Sequence, residues 1–267
     1  MWGGIGFITP PEREAIFNVP IRTALIKDGQ AIYGAGGGIT WDSTSTGEFQ
    51  ELNQKADILY QQRVAFSLLE SIKLEEGHFP LLSYHIDRIK QSADYFQIPI
   101  KVDIIKRQLK NIAFKKPNGS FKVRLLVDTH GDIKLESEPL KTLLEPIQTN
   151  IACEPVDKED VFLYHKTTNR SLYQAFEQEK PKDAMTTLLW NEDGFATEFT
   201  IGNLVVEKNG IYYTPPITDG LLAGRYREKL LRDGNLIEKS IRLKDLGDFD
   251  QVWFINSIRG WVKVNIK

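Results

Sequence analysis

The 267-residue chain is 41% hydrophobic and 26% charged, the profile of an ordinary globular protein long enough to bury one large core or two modest ones. Its 34 Lys and Arg stand against 36 Asp and Glu, a formal net charge of -2. That balance excludes a whole-molecule field for nucleic acid or an anionic membrane and leaves only a local basic pocket for a small anion. The single Cys153 excludes an internal disulfide and a Cys-based zinc cluster, and His78, His85, His130 and His165 are too scattered to suggest a metal site. With no apolar run of about 18 residues and no signal pattern at Met1, the expectation is a cytoplasmic protein.

The first sixty residues read as a strand-rich fragment too small to own a core. Trp2 to Thr9 is short and apolar and is broken by Pro10-Pro11. Ala15 to Ile26 and Gln30 to Tyr33 read as strands flanking an Asp28-Gly29 turn. A glycine-rich run follows at Gly34-Ala35-Gly36-Gly37-Gly38. Asp42-Ser43-Thr44 looks like a cap for a helix over Glu48 to Leu59. From Arg63 onward the texture is that of a complete α+β enzyme. Ala65 to Lys73 and Gly77 to Leu82 are predicted strands. A helix capped by Ser83 carries Ile86, Ile89 and Ala93 on one stripe. Ile104 to Ala113 is a second helix and Phe121 to Val127 a strand holding Arg124. Residues 137–150, around Pro139 and Pro146, read as a polar connector. Beyond them, Ala184 to Trp190, Asn203 to Val206, Ile211 to Thr214 and Gln251 to Ile255 are predicted strands, with a helix over Arg225 to Asp233 behind Gly224.

Four segments carry chemistry. In Tyr164-His165-Lys166-Thr167, followed by Asn169-Arg170 and Tyr173, a desolvated Lys166 would have a lowered pKa and serve as a Schiff-base nucleophile. The same segment also fits a surface lysine at a helix start. In Ala196-Thr197-Glu198-Phe199-Thr200-Ile201-Gly202-Asn203, a buried Glu198 would need a cationic partner such as a pyridinium nitrogen, whereas an edge position would leave it solvated. Gly224-Arg225-Tyr226-Arg227 opens a helix behind a glycine turn and offers backbone N–H groups to an anion. Asn256-Ser257-Ile258-Arg259-Gly260 forms a polar turn after a strand and could supply further donors.

Taken together and in this order, Lys166, Glu198, Gly224 and Ser257 resemble the class IV aminotransferase family of pyridoxal 5'-phosphate (PLP) enzymes. Leu69-Glu70-Ser71-Ile72 is similar to the family's Phe-Glu-Thr strand, and His85-Ile86-Asp87-Arg88-Ile89 to its His-Leu-x-Arg-Leu helix. The resemblance implies a D-amino acid aminotransferase-like fold: a small α/β subdomain over 63–145 and a larger β-rich subdomain over 146–267, behind a strand-rich extension over 1–62. It implies PLP as cofactor, Lys166 as the Schiff-base lysine, Glu198 as the pyridinium partner and Arg88 as the phosphate arginine. The backbone of Arg225 and Tyr226, behind Gly224, and the hydroxyl of Ser257 would complete the phosphate cup. Ser71 would assist catalysis. The family usually has a small or aliphatic residue where Arg225 stands.

The N-terminal piece has its own resemblance. Gly4 to Ile8, Phe17 to Thr23, Tyr33 to Ile39, Asp42-Ser43, Glu48 to Glu51 and Lys55 are similar to the end of a chorismate-binding enzyme, component I of aminodeoxychorismate synthase. Most of that domain is absent, so Arg22, Glu48, Glu51 and Lys55 are expected to be structural or vestigial. A synthase tail running into a class IV unit implies the 4-amino-4-deoxychorismate lyase branch, which forms 4-aminobenzoate and pyruvate for folate biosynthesis. The implied substrate is a small dicarboxylate, for which Arg259, Arg124 and Arg225 are candidate partners. A homodimer, and a separate aminodeoxychorismate synthase as partner, are further implications. The competing readings are a branched-chain or D-amino acid transaminase with the same lysine and glutamate, and a non-catalytic partner subunit of the synthase.

Overall fold

The computed structural model describes residues 5–9, 14–18, 23–35, 41–57 and 65–267, and the chain divides into two units, Met1–Val64 and Ala65–Lys267. In the first unit, β1 (Ile5–Thr9) pairs antiparallel with β2 (Glu14–Asn18), and β3 (Ala24–Lys27) with β4 (Gln30–Tyr33). Asp28 and Gly29 both lie at positive φ, 51° and 74°, the geometry that matches the twist of a two-residue hairpin. The strand expected over Ala15 to Ile26 is therefore two strands on different hairpins. α1 (Ser45–Asp57) starts behind Thr44, whose Oγ1 accepts a hydrogen bond from the Gly47 N–H at 3.1 Å. Glu48 accepts from the Ser43 hydroxyl at 2.6 Å, and Glu51 pairs with Lys55 one turn on at 2.5 Å. Arg22, Gly36 to Gly38, and Ile58 and Leu59 lie outside the described residues.

The second unit opens with a three-stranded antiparallel sheet of β5 (Leu68–Glu75), β6 (Ser120–Val127) and β7 (Ile133–Pro139), covered by α2 (Leu82–Phe96) and α3 (Val102–Lys115). The period of two along β5 sends Leu68, Ile72 and Leu74 into a core with Ile86, Ile89 and Ala93 of α2. It sends Leu69 and Ser71 to the opposite face. Glu70 lies on the core face, where α2 brings His85 and Arg88 to meet it.

Three expectations give way here. Gly77 to Leu82 is a turn, because Glu76 and Gly77 both take positive φ, 46° and 73°, and reverse the chain straight into α2. Ser83 lies inside the first turn of α2, so Leu81 occupies the cap position with no side-chain bond. The polar stretch 137–150 holds the end of β7 and all but the last residue of β8 (Ile147–Ile151). Its polarity at the β7 end is that of an edge strand with one wet face.

The remaining strands form one large sheet with β8: β9 (Thr186–Trp190), β10 (Phe195–Phe199), β11 (Gly202–Lys208), β12 (Ile211–Thr214), β13 (Ile237–Glu238), β14 (Ile241–Arg242), β15 (Gln251–Asn256) and β16 (Gly260–Ile266). The order is β13-β12-β11-β15-β16-β8-β9-β10-β14, and a further pairing of β10 with β11 closes the run from β11 to β10 on itself. Leu188, Phe199, Leu204, Phe254 and Val262 fill its core. The helices α4 (Val161–Tyr164), α5 (Ser171–Glu179) and α6 (Arg225–Arg232) complete the unit. No helix among the described residues is long and apolar enough to cross a bilayer.

Candidate active site

Lys166 sits in the extended link between α4 and α5, and two anchors fix it. Its carbonyl accepts from the Leu69 N–H of β5 at 2.9 Å, and Thr168 N–H donates to Ser67 at 2.9 Å, so the link is stitched to the small sheet. On its other side, His165 hydrogen-bonds Ser92 of α2 at 2.9 Å and packs against the rings of Tyr95 and Phe96. Lys166 enters none of the ion pairs among the described residues. Burial, then the nearby charges of Arg88 and Arg170, lower its pKa to about 7. Lys166 is thus partly buried on a cavity wall and is not fully exposed at a helix start.

Glu198 occupies the interior of β10, where the register against β9 slips between Ala196 and Phe199, an irregularity of the kind that re-aims a side chain. It is buried. Tyr173 of α5 donates its hydroxyl to Oε1 at 2.9 Å, and the Asn203 amide, directly across on β11, donates to Oε2 at 3.3 Å. Burial nevertheless pushes its pKa up to about 7. Asn203 also donates to the Leu222 carbonyl at 2.8 Å, which ties β11 to the loop before α6. A Cβ on Gly224 would fall 1.8 Å from Asn203 Oδ1, so the contact requires glycine. Arg88 reaches the same loop, donating to the Ala223 carbonyl at 3.2 Å.

One cavity of about 560 Å³ collects these groups. Its wall includes Ser71, Arg88, Arg124, Lys166, Glu198, Gly224, Arg225, Ser257 and Arg259, nine of the positions singled out in the sequence. Tyr226 is not on the wall; its ring packs beside Leu230 and Leu236, so any contribution would come from the backbone at the start of α6. Arg225 is buried, its guanidinium bonded to the Ala223 carbonyl and paired with Glu228 at 2.5 Å. Burial and then the neighbouring Arg88 charge lower its pKa to about 10. Ser257 lies in a turn that Asn256 organises by accepting from the Ile258 and Arg259 N–H groups at 2.9 and 2.8 Å. The Arg259 guanidinium donates to the Lys141 carbonyl at the mouth. Arg124 faces Glu136 at 3.7 Å and is half exposed.

Three residues without a role in the sequence reading also shape the wall. Arg170 donates to the Thr200 carbonyl at 2.6 Å and lies 4.3 Å over the Tyr173 ring. Tyr173 and Asn203 hold Glu198. Only Asn203 had a findable signal: a tight hairpin at Thr200-Ile201 places it opposite Glu198.

Residues 67–266 match the amino-transferase class IV family model, and residues 2–61 match that of the chorismate binding enzymes. A Schizosaccharomyces pombe protein provisionally named an aminodeoxychorismate lyase is 31% identical over 195 residues, spanning 70% of this chain and 84% of that protein. The structure of 4-amino-4-deoxychorismate lyase from Pseudomonas aeruginosa superposes with a TM-score of 0.64 at 17% identity, over 75% of this chain and 82% of that one. A hypothetical aminotransferase from Mycobacterium tuberculosis, in its PLP-bound form, gives 0.64 at 15% identity over 75% and 81%. The fold, the clustered site and the span of the family match together make this chain an enzyme of the class IV aminotransferase family.

Proposed function

We propose that the chain is a PLP-dependent carbon–oxygen lyase that converts 4-amino-4-deoxychorismate to 4-aminobenzoate and pyruvate. The observation that carries this reading is the meeting of a partly buried amine, Lys166, and a buried carboxylate, Glu198, in one cavity walled by Arg88, Arg170 and Arg225. The lyase name of the fission-yeast relative and the chorismate-binding match at the N-terminus support the choice of substrate. Those two, and not the lysine and glutamate, favour a lyase over a transaminase.

The residues fit the cofactor. A buried carboxylate steadied by two donors needs a cationic counterpart in the cavity, and a protonated pyridine nitrogen is one. Arg88, the free N–H groups at the start of α6 behind Gly224, and Ser257 would hold a phosphate. When bound, PLP supplies an electron sink conjugated to the substrate amine. Lys166 Nζ, neutral in part at pH 7, removes the proton from the amine-bearing ring carbon. It then returns a proton to the methylene carbon of the departing enolpyruvyl group, with the Ser71 hydroxyl on the adjacent wall as an assistant. Glu198 would hold the cofactor's ring nitrogen in its protonated form. Arg259, Arg124 and Arg225 present positive charge to the two substrate carboxylates. We further read the enzyme as a homodimer that draws its substrate from a separate aminodeoxychorismate synthase.

The test is incubation with enzymatically prepared aminodeoxychorismate and no amino acceptor. Equal amounts of pyruvate and 4-aminobenzoate are expected over many turnovers. A single turnover that resumes only on adding a keto acid would replace the lyase with a transaminase, and no product at all would favour the non-catalytic subunit.

A further inference from the structure

Tyr173 is a buried phenol that the reaction above does not use. It stands in the first turn of α5, seven residues after Lys166, and does two separate things. Its hydroxyl donates to Glu198 Oε1 at 2.9 Å, and its ring face carries the Arg170 guanidinium at 4.3 Å. Arg170 in turn is fixed to the Thr200 carbonyl at 2.6 Å, two residues beyond Glu198. One side chain therefore joins the carboxylate of β10 and the Arg170 guanidinium in a single arrangement. The groups facing Glu198 are Lys166 and Arg170 from the link before α5, Tyr173 from α5, Asn203 from β11 and the Leu222 backbone from the loop before α6. Asp160 adds a distant negative charge on the Tyr173 side.

We propose that Tyr173 is a positioning residue that sets where the proton of the Glu198 pair resides, acting through its hydroxyl and not through its ring. Two side chains, Tyr173 and Asn203, donate hydrogen bonds to Glu198, and Tyr173 is the one that also orders a neighbouring charge. A donor to the ionised carboxylate favours ionisation. Without the hydroxyl, Glu198 holds its proton to higher pH and competes with the cofactor nitrogen that it should keep protonated. Asn203 still donates to the carboxylate, so loss of the hydroxyl alone leaves Glu198 with a partner and the fold survives. This inference rests on the reading of Glu198 given above, but its first test does not need the cofactor.

Tyr173→Phe keeps the ring, its packing with Leu163 and Phe176, and the platform for Arg170. In the cofactor-free protein, its melting temperature relative to the unaltered chain is followed from pH 5 to 8.5. The deficit should be small at pH 5, where Glu198 is protonated, and should grow as the carboxylate ionises. In a Glu198→Gln background the same substitution should give a flat difference. A deficit equal at every pH, or one that persists unchanged beside Glu198→Gln, would show a packing role only and overturn the proposal. In the PLP-loaded enzyme, Tyr173→Phe should lower kcat by about tenfold with KM unchanged and shift the pH profile, whereas an unshifted profile would count against it. If the unaltered protein shows no borohydride-bleachable cofactor band while the pH-dependent deficit is present, the PLP reading fails and the Tyr173–Glu198 coupling stands.

Discussion

Glu70 holds Arg88 by two hydrogen bonds, Nε to Oε1 at 2.7 Å and Nη2 to Oε2 at 2.5 Å, in a setting closed to solvent. His85 Nδ1 donates to the same carboxylate at 2.7 Å. Burial alone would raise the Glu70 pKa, but the Arg88 charge and His85 outweigh it and hold it at about 2. Because the folded value lies below the unfolded one, this carboxylate stabilises the protein above about pH 4.5, and that stabilisation is lost as pH falls towards 2. Glu70→Ala strands a buried guanidinium and should cost about 3–5 kcal/mol by denaturant unfolding at pH 7, with a deficit that shrinks below about pH 4.5 and is much smaller near pH 2. A uniform deficit across that range would mean that the ion pair contributes nothing specific.

Gly224→Ala should damage the site from a distance. The added methyl collides with Asn203 Oδ1, and Asn203 cannot retreat without dropping its bonds to Leu222 and Glu198. Weaker retention of PLP on gel filtration is expected, with a fold still native by circular dichroism. Unchanged retention would show that the loop before α6 yields freely.

Lys166 should react with an aldehyde cofactor at unusually low pH. A pKa of about 7 in place of the ordinary lysine value makes the amine nucleophilic near neutrality. The rate of PLP capture by the cofactor-free protein should therefore rise through pH 7 and level off well below pH 10. Lys166→Ala should still bind some PLP through the phosphate donors, show no borohydride-sensitive band and lose turnover.

Glu198→Gln should slow the reaction more than it harms the fold. The amide cannot hold the opposing nitrogen charged, and loss of such an electrostatic stabiliser costs about 2.7–4 kcal/mol in the barrier. Stability should move the other way. Glu198 has a folded pKa near 7, raised by burial above its ordinary value, so the native protein loses stability as pH rises between about 4.5 and 7. The glutamine variant should lack that decline, and an identical pH–stability curve would place Glu198 in solvent.

Much of this site can be read in the sequence because its chemistry rides on short, ordered segments. Lys166, Glu198, Gly224 and Ser257 are weak signals one by one, but their order along the chain carries the resemblance to the class IV family, and the fold brings them into one cavity wall. What escapes is whatever depends on a neighbour far along the chain. Tyr173 has no meaning until α5 is laid against β10, and Glu70 looks like one strand position among others until α2 delivers His85 and Arg88 to its face. The misread elements share a local cause. A polar edge strand such as β7 resembles a linker, and the turn at Glu76-Gly77 lies inside an apolar stretch that imitates a strand.

Arg259 tests the substrate side without touching the cofactor side. Its backbone N–H is spent on Asn256 Oδ1 and one guanidinium nitrogen on the Lys141 carbonyl, which leaves the remaining donors of the fork for a carboxylate at the mouth. Lys122 and Arg124, on the β6 side of the same wall, carry partners of their own in Glu138 and Glu136. Arg259→Ala should therefore raise KM for the dianionic substrate by about 10–100-fold, the loss expected for one hydrogen bond to a charged group. The cofactor spectrum and its response to borohydride should be unchanged, because Ser257 and the Asn256 turn stay in place. A fall in kcat with KM intact would move Arg259 from substrate capture to support of the phosphate end, and Arg124 would become the first candidate for the carboxylate.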